Sequence, residues 1–160
     1  MKVQSLKGFR DFYPEEMAAR REVLDKIFSV VRRYGFREVD TPSVESMELF
    51  KVKSGEEIVQ QTFSFKDKGE REITLIPELT PTVARMVVDR EKALKRPIKW
   101  FSMPKMWRYE EPQSGRLREF YQLVFVPVLV EADHYDIGFY MQNWLKHVSF
   151  AAQYCVIDTF

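Results

Sequence analysis

The stretch from Ile98 to Val130 constrains this chain more than any other part of its sequence. Two runs rich in β-branched and aromatic residues, Ile98–Tyr109 and Leu117–Val130, flank a polar segment that contains Pro112-Gln-Ser-Gly115. Such runs read as strands, and Pro and Gly punctuate the turn between them, so an antiparallel hairpin is expected. Arg108, Arg116 and Arg118 cluster around that turn, with Glu110 among them and Phe120 just beyond. Planar guanidinium forks match phosphate oxygens bidentately, so a ribbon that carries several of them suits a polyphosphate. Glu110 supplies an acceptor for an exocyclic amine and Phe120 a face on which a base can stack. The set has the makings of an ATP site, although by composition alone an Arg/Glu-rich loop is no more than a solvated surface.

The spelling of the stretch adds to its composition. Trp107–Gln122, WRYEEPQSGRLREFYQ, resembles motif 2 of the class II aminoacyl-tRNA synthetases, in the form used by the histidyl-tRNA synthetases. Three other segments agree. Lys7-Gly-Phe-Arg-Asp-Phe12 followed by Pro14 resembles that family's amino-terminal signature. Tyr34–Pro42 with Glu45 after it resembles motif 1, and Leu75-Ile-Pro-Glu-Leu-Thr80 the segment that holds the amino-acid substrate. The likeness runs from about Lys7 to Gln122.

That resemblance implies a two-step ligase using histidine, ATP with Mg2+, and tRNA(His). It assigns Arg108 to the α-phosphate and the substrate carboxylate, which makes it the catalytic residue. Arg116 goes to the terminal phosphates with Arg118 beside it, Glu110 to the adenine amine and Phe120 beneath the ring. Glu78, Thr80 and Gln122 are assigned to the amino acid. It also implies a homodimer formed through the motif 1 region. No residue is assigned to a metal by the protein side alone.

Two departures qualify the likeness. Four positions after Gln122 the family carries an acidic residue that reads the imidazole ring, and this chain has Val126. An aliphatic side chain cannot accept that hydrogen bond, and sites lacking such a bond lose strong discrimination. The second departure is extent: motif 3, the histidine loop and the anticodon-binding domain are not found. Residues 1–160 are therefore expected to be the amino-terminal part of a catalytic domain, incomplete as it stands. The alternative reading is a noncatalytic, histidyl-synthetase-like regulatory subunit of ATP phosphoribosyltransferase; a synthetase for another amino acid such as proline is a third.

Elsewhere the sequence reads as an ordinary soluble domain. The chain has 160 residues, 45% of them hydrophobic and 31% charged, with a formal net charge of +1. A near-neutral balance supplies no global field for nucleic acid, although local basic patches remain open to a tRNA. The single cysteine, Cys155, has no internal partner and no Cys/His cluster has zinc spacing. Without an apolar leader or a spanning segment, the expected setting is cytoplasmic with no membrane partner. His134 and His147 lie in no catalytic spacing.

Periodicity predicts a helix over Pro14–Tyr34, with Met17, Leu24, Ile27, Phe28 and Val31 on one stripe, and then a strand over Phe36–Asp40. A short helix over Ser46–Lys53 and strands over Gln61–Phe65 and Glu72–Ile76 follow, the strands joined by a turn at Lys66–Gly69. Pro81–Leu94 reads as a helix capped by Thr80. Asp136–Phe150 and Tyr154–Phe160 read as a further helix and strand. Helices flanking a mainly antiparallel sheet make an α+β class, of the class II synthetase kind by resemblance. The run Leu123–Val130 is apolar at both parities, as in a strand buried on both faces, while Pro127 argues against a central place in a sheet.

Overall fold

One long hairpin organises the molecule. A computed structural model describes residues 4–111 and 116–128. The turn Pro112–Gly115, the helix and strand expected after residue 135, His134, His147 and Cys155 lie outside the described residues. The hairpin is built from β5 (Ile98–Ser102), β6 (Lys105–Trp107), β7 (Glu119–Tyr121) and β8 (Val124–Val128). β5 pairs antiparallel with β8 from Ile98↔Val128 to Ser102↔Val124, and β6 with β7 from Lys105↔Tyr121 to Trp107↔Glu119. No residue is gained or lost between the two ladders, so they are one hairpin with a gap. The gap falls at Pro104, which has no N–H to give; its carbonyl still accepts from Gln122 N at 3.4 Å. The expected pair of strands is thus present, each broken once.

β1 (Arg37–Glu38) lies parallel to β5, giving the sheet order β1-β5-β8. This is a two-residue strand where Phe36–Asp40 was expected. A second sheet, β2-β4-β3, contains Val44–Ser46, Glu72–Leu75 and Ser64–Lys66 and is antiparallel throughout. Mixed helix and mainly antiparallel sheet is the α+β class the sequence predicts. Two local expectations fail in this region. β2 was not foreseen, because a three-residue strand has too few positions to display alternation. The strand expected at Gln61–Phe65 starts three residues later, since Glu56–Gln61 forms a 3-10 helix that closes when Thr62 N and Oγ1 both donate to Val59 O. The turn after β3 is where it was expected: Asp67 Oδ1 accepts from Gly69 N at 2.8 Å and Arg71 N at 3.0 Å.

α1 (Pro14–Arg33) starts at its proline, and Glu16 reaches back to accept from Tyr13 N at 3.0 Å. That backbone bond, with Arg10 next in effect, holds the Glu16 carboxyl below the usual carboxylate range. Leu24, Phe28 and Val31 are buried against Phe101 and Leu123. Met17, expected on the same stripe, is 37% exposed, because the buried cluster is reached only from Leu24 onward. α2 (Met47–Ser54) buries Met47 and Phe50. α3 (Thr80–Asp89) corrects the capping expectation: Thr80 is its first helical residue, and Leu79 takes the cap position with no side-chain cap bond. Leu79 is buried in the core, so packing rather than a hydroxyl fixes where the helix begins. α3 also stops at Asp89, short of Leu94, and a 3-10 turn Glu91–Ala93 follows.

The two cores lie on opposite faces of the hairpin base. Phe50, Ile76, Leu79, Val83, Met106, Trp107, Val124 and Val126 form one; Leu24, Phe28, Val31, Phe101 and Leu123 form the other, with Phe125 packed on it. The side chains of Val124 and Val126 therefore go to one core and those of Leu123 and Phe125 to the other, which explains why this part of the run is apolar at both parities. Among the described residues β8 is an edge strand, with Pro127 opposite Lys99. An edge is where a proline in a sheet belongs.

Candidate active site

Strand geometry puts the expected nucleotide residues together before any long-range contact is considered. Side chains alternate across a ribbon and paired residues share a face. Met106 pairs with Phe120, and Arg108 N donates to Arg118 O at 3.0 Å one step nearer the turn. Met106, Arg108, Glu110, Arg116, Arg118 and Phe120 therefore belong to one parity, continuous with Val124 and Val126 at the base. That face is core at its base and charged at its tip.

Arg108 with Phe120 and Glu110 with Arg116 follow this order, whereas the Arg118 guanidinium turns to Tyr109, of the other parity. The Arg108 guanidinium carbon lies 5.1 Å from the centre of the half-buried Phe120 ring, and Nε donates to Pro77 O at 3.1 Å. Among the described residues Arg108 has no carboxylate partner, so its charge is held in place by a neutral carbonyl and an aromatic face. Glu110 sits between two cations: its carboxylate is 3.6 Å from Arg116 Nη1, and its carbonyl accepts from Arg118 Nε at 2.9 Å. The Arg116 side chain is 72% exposed, so its pairing with Glu110 is worth little. Arg118 also lies 4.7 Å from the Tyr109 ring centre.

The opposite parity does structural work. Glu119 accepts from Lys105 Nζ at 2.9 Å and from Trp107 Nε1 at 3.0 Å. The hydrogen bond to Glu119 raises the Lys105 pKa above its ordinary value.

The Leu75–Thr80 segment meets the hairpin from the side. Trp107 N donates to Ile76 O at 2.9 Å, and the Arg108–Pro77 bond lies next to it. Glu78 is thereby adjacent to the Arg108 guanidinium in the chain path, and Thr80 opens α3 two residues on, buried. Glu78 is not empty-handed: its carboxylate forms a short ion pair with Lys53 from the last turn of α2, both about one-fifth exposed. Gln122 is half-buried at the gap in the hairpin. Val126 pairs with Trp100 and is buried, so no polar side chain enters from that position.

Three participants went unread in the sequence. Lys53 has no local signal that ties it to Glu78, 25 residues away. The Pro77 carbonyl is backbone, invisible to residue typing. Nothing in the spelling of Lys7–Phe12 signals that the Gly8 carbonyl accepts from Arg118 N at 2.8 Å and Glu119 N at 3.2 Å. The shared parity of the five tip residues follows from the Met106–Phe120 register, which the position of the Pro112–Gly115 turn leaves open by one residue.

Comparison with known proteins bears directly on this arrangement. The family model described as histidyl-tRNA synthetase matches residues 8–125, most of the chain and the whole of the described hairpin tip. The chain belongs to the histidyl-tRNA synthetase family. Within that family, a histidine–tRNA ligase of Natronomonas pharaonis is 63% identical over 117 residues, covering 73% of this chain and 27% of the relative. The histidyl-tRNA synthetase of Nostoc superposes with a TM-score of 0.70 at 25% identity, over 83% of this chain and 30% of that one. A Bacillus halodurans protein described as an ATP phosphoribosyltransferase regulatory subunit/histidyl-tRNA synthetase gives 0.66 at 25% identity, over 78% and 32%. The chain thus spans less than a third of the length of each of these relatives.

Proposed function

We propose that residues 1–160 are the amino-terminal part of a class II catalytic domain, and that they supply the ATP- and histidine-binding walls of a histidine–tRNA ligase. In the reaction, an oxygen of the histidine carboxylate bonds to the α-phosphorus of ATP. The bond from that phosphorus to the bridging oxygen of the β-phosphate breaks, and pyrophosphate leaves with the electron pair. A terminal ribose hydroxyl of tRNA(His) then attacks the acyl carbon and AMP departs. Charge gathers on the nonbridging oxygens in the first step, and fixed cations lower its energy there.

Arg108 is the residue for that task. The observation that carries the reading is its setting, a guanidinium aligned by Phe120 and Pro77 O with no carboxylate partner among the described residues. Arg116 is the cation for the β- and γ-phosphates, while Arg118, committed to Tyr109 and the Glu110 carbonyl, orders the tip. Phe120 offers its ring to adenine and Glu110 its carboxylate to the exocyclic amine. Glu78, Thr80 and Gln122 hold the amino acid, its ammonium replacing or sharing the Lys53 contact. Among the described residues no group of three or more metal-ligating side chains comes together. Mg2+ would enter with the nucleotide, bound to its phosphate oxygens. The whole enzyme is read as a cytoplasmic homodimer joined through the motif 1 region, Tyr34–Pro42.

Histidine-dependent exchange between ATP and pyrophosphate, measured on the full-length parent protein, tests this reading. Arg108→Ala is expected to lower the exchange rate by about a hundredfold or more, the scale for removing one fixed donor from a developing anion. Undiminished exchange in that variant would refute the assignment. Val126 favours a second reading, the noncatalytic regulator, because it places no acceptor for an imidazole. Histidine binding without exchange in the parent would select that alternative.

A further inference from the structure

The segment ahead of α1 crosses the hairpin near its tip, is hydrogen-bonded to it at Gly8, and packs Phe12 against Tyr121 with ring centres 6.4 Å apart. Gly8 O accepts from both Arg118 N and Glu119 N, and Gly8 has φ +90°, a conformation that L side chains rarely adopt. A Cβ at Gly8 would stand 2.8 Å from Arg118 Cγ, 3.0 Å from Cβ and 3.1 Å from Cδ. These atoms are the root of the arginine side chain, not its flexible end. Two aromatic contacts fix the same segment, Phe9 against Phe63 with centres 6.0 Å apart and Phe63 against Tyr109 at 5.1 Å. Tyr109 N is in turn held by Gln61 O at 2.9 Å.

The contact does not end at Arg118. Its stem lies over Gly8, its guanidinium over Tyr109, and its Nε on the Glu110 carbonyl across the ribbon. A chain of direct contacts therefore runs from the amino-terminal strap to the backbone of Glu110.

We infer that Gly8 is a positioning residue for adenine recognition: by letting the strap close onto the root of Arg118, it fixes the Arg118–Glu110 bond and thereby the place of the Glu110 carboxylate. The inference rests on the reading of Glu110 as the acceptor for the adenine amine. It is specific because it concerns one end of the nucleotide. A strap that fails to close misplaces the side chains of Arg118 and Glu110, while the ladder bond from Arg108 N to Arg118 O and the Arg108 guanidinium, tied to Pro77 O and Phe120, stay where they are.

The test compares ATP with its purine analogue that bears hydrogen in place of the exocyclic amine, in the exchange assay on the full-length parent. The parent should prefer ATP in KM. Gly8→Ala should raise KM for ATP about tenfold, the scale of one hydrogen bond to a charged group, with kcat within about threefold. KM for the analogue should move by less than about twofold, since the analogue has no amine to lose. Arg118→Met keeps the stem over Gly8 and removes the Nε bond, so it should also shift ATP more than the analogue. It decides the question if Gly8→Ala does not fold. Variants that preserve the parent's preference for ATP, or that affect both nucleotides alike, overturn the inference. A parent that does not distinguish the two nucleotides refutes the Glu110 reading instead, so the two failures are separable.

Discussion

Val126→Glu places an acidic side chain where the family resemblance expects one, and the structure predicts a penalty rather than a gain. Val126 is 9% exposed, pairs with Trp100 and packs with Phe50, Ile76, Leu79, Val83, Met106 and Val124. Removing the valine forfeits about 1.5–3 kcal/mol of apolar burial. The side-chain donors in that cluster are the indole N–H groups of Trp107, already given to Glu119, and of Trp100, so burial still drives the pKa of the new carboxyl upward. A rise of about three units costs about 4 kcal/mol once the pH exceeds the shifted value. The sign follows from linkage. An acid whose folded-state pKa lies above its ordinary value, about 4.3 for glutamate, binds more protons folded than unfolded. The second penalty is thus absent below that ordinary value, grows as pH rises through the interval and is complete above the raised pKa. Urea unfolding of the chain should show destabilisation of about 2 kcal/mol at pH 4 and about 6 kcal/mol at pH 8.5. Val126→Gln, which cannot ionise, should lack the dependence on pH. A glutamate variant within about 0.5 kcal/mol of the parent at both pH values would refute the placement of Val126 in the core. It would point instead to a polar pocket ready to read imidazole.

Other perturbations probe other layers. Phe101→Ala should cost about 3–5 kcal/mol in urea unfolding, because its side chain is fully buried with its ring centre 5.3 Å from that of Phe28 and joins α1 to the hairpin. Asp67 is held below its ordinary carboxyl pKa, first by the Arg71 side chain, then by backbone N–H groups. Its stabilising contribution is therefore complete above the ordinary value of 3.8 and lost as pH falls through the folded one, so Asp67→Asn should flatten the acid limb of a stability–pH profile. Lys53→Met removes the cation that occupies Glu78 in the structure. If substrate ammonium replaces it, KM for histidine should fall severalfold in the parent enzyme, whereas a rise in KM would mean that Lys53 orients Glu78.

Much of the hairpin tip was legible because its information is local. Strand alternation has a period of two, so Arg108, Glu110, Arg116, Arg118 and Phe120 share a parity in the register that pairs Met106 with Phe120; a register shifted by one residue would have split them. Likewise α1 announces itself through a starting proline, early glutamates and a repeating apolar stripe, and only the reach of that stripe was misjudged at Met17. Where signals were short or competed, reading failed. Three-residue β2 had no room to alternate, and Thr80 looked like a cap until the buried Leu79 set the start of α3.

By itself the sequence determined an α+β chain, a hairpin with guanidinium groups at its tip, and membership of the synthetase family through four ordered motifs. Only the tertiary structure decided that Lys53 meets Glu78, that Pro77 O aligns Arg108, that Gly8 closes on Arg118, and that Val126 belongs to the core. The reason is physical. Periodicity and capping depend on neighbours a few residues apart, which every window of sequence displays. Pairings across tens or a hundred residues depend on how separate elements pack, and no local pattern encodes which distant partner will be there.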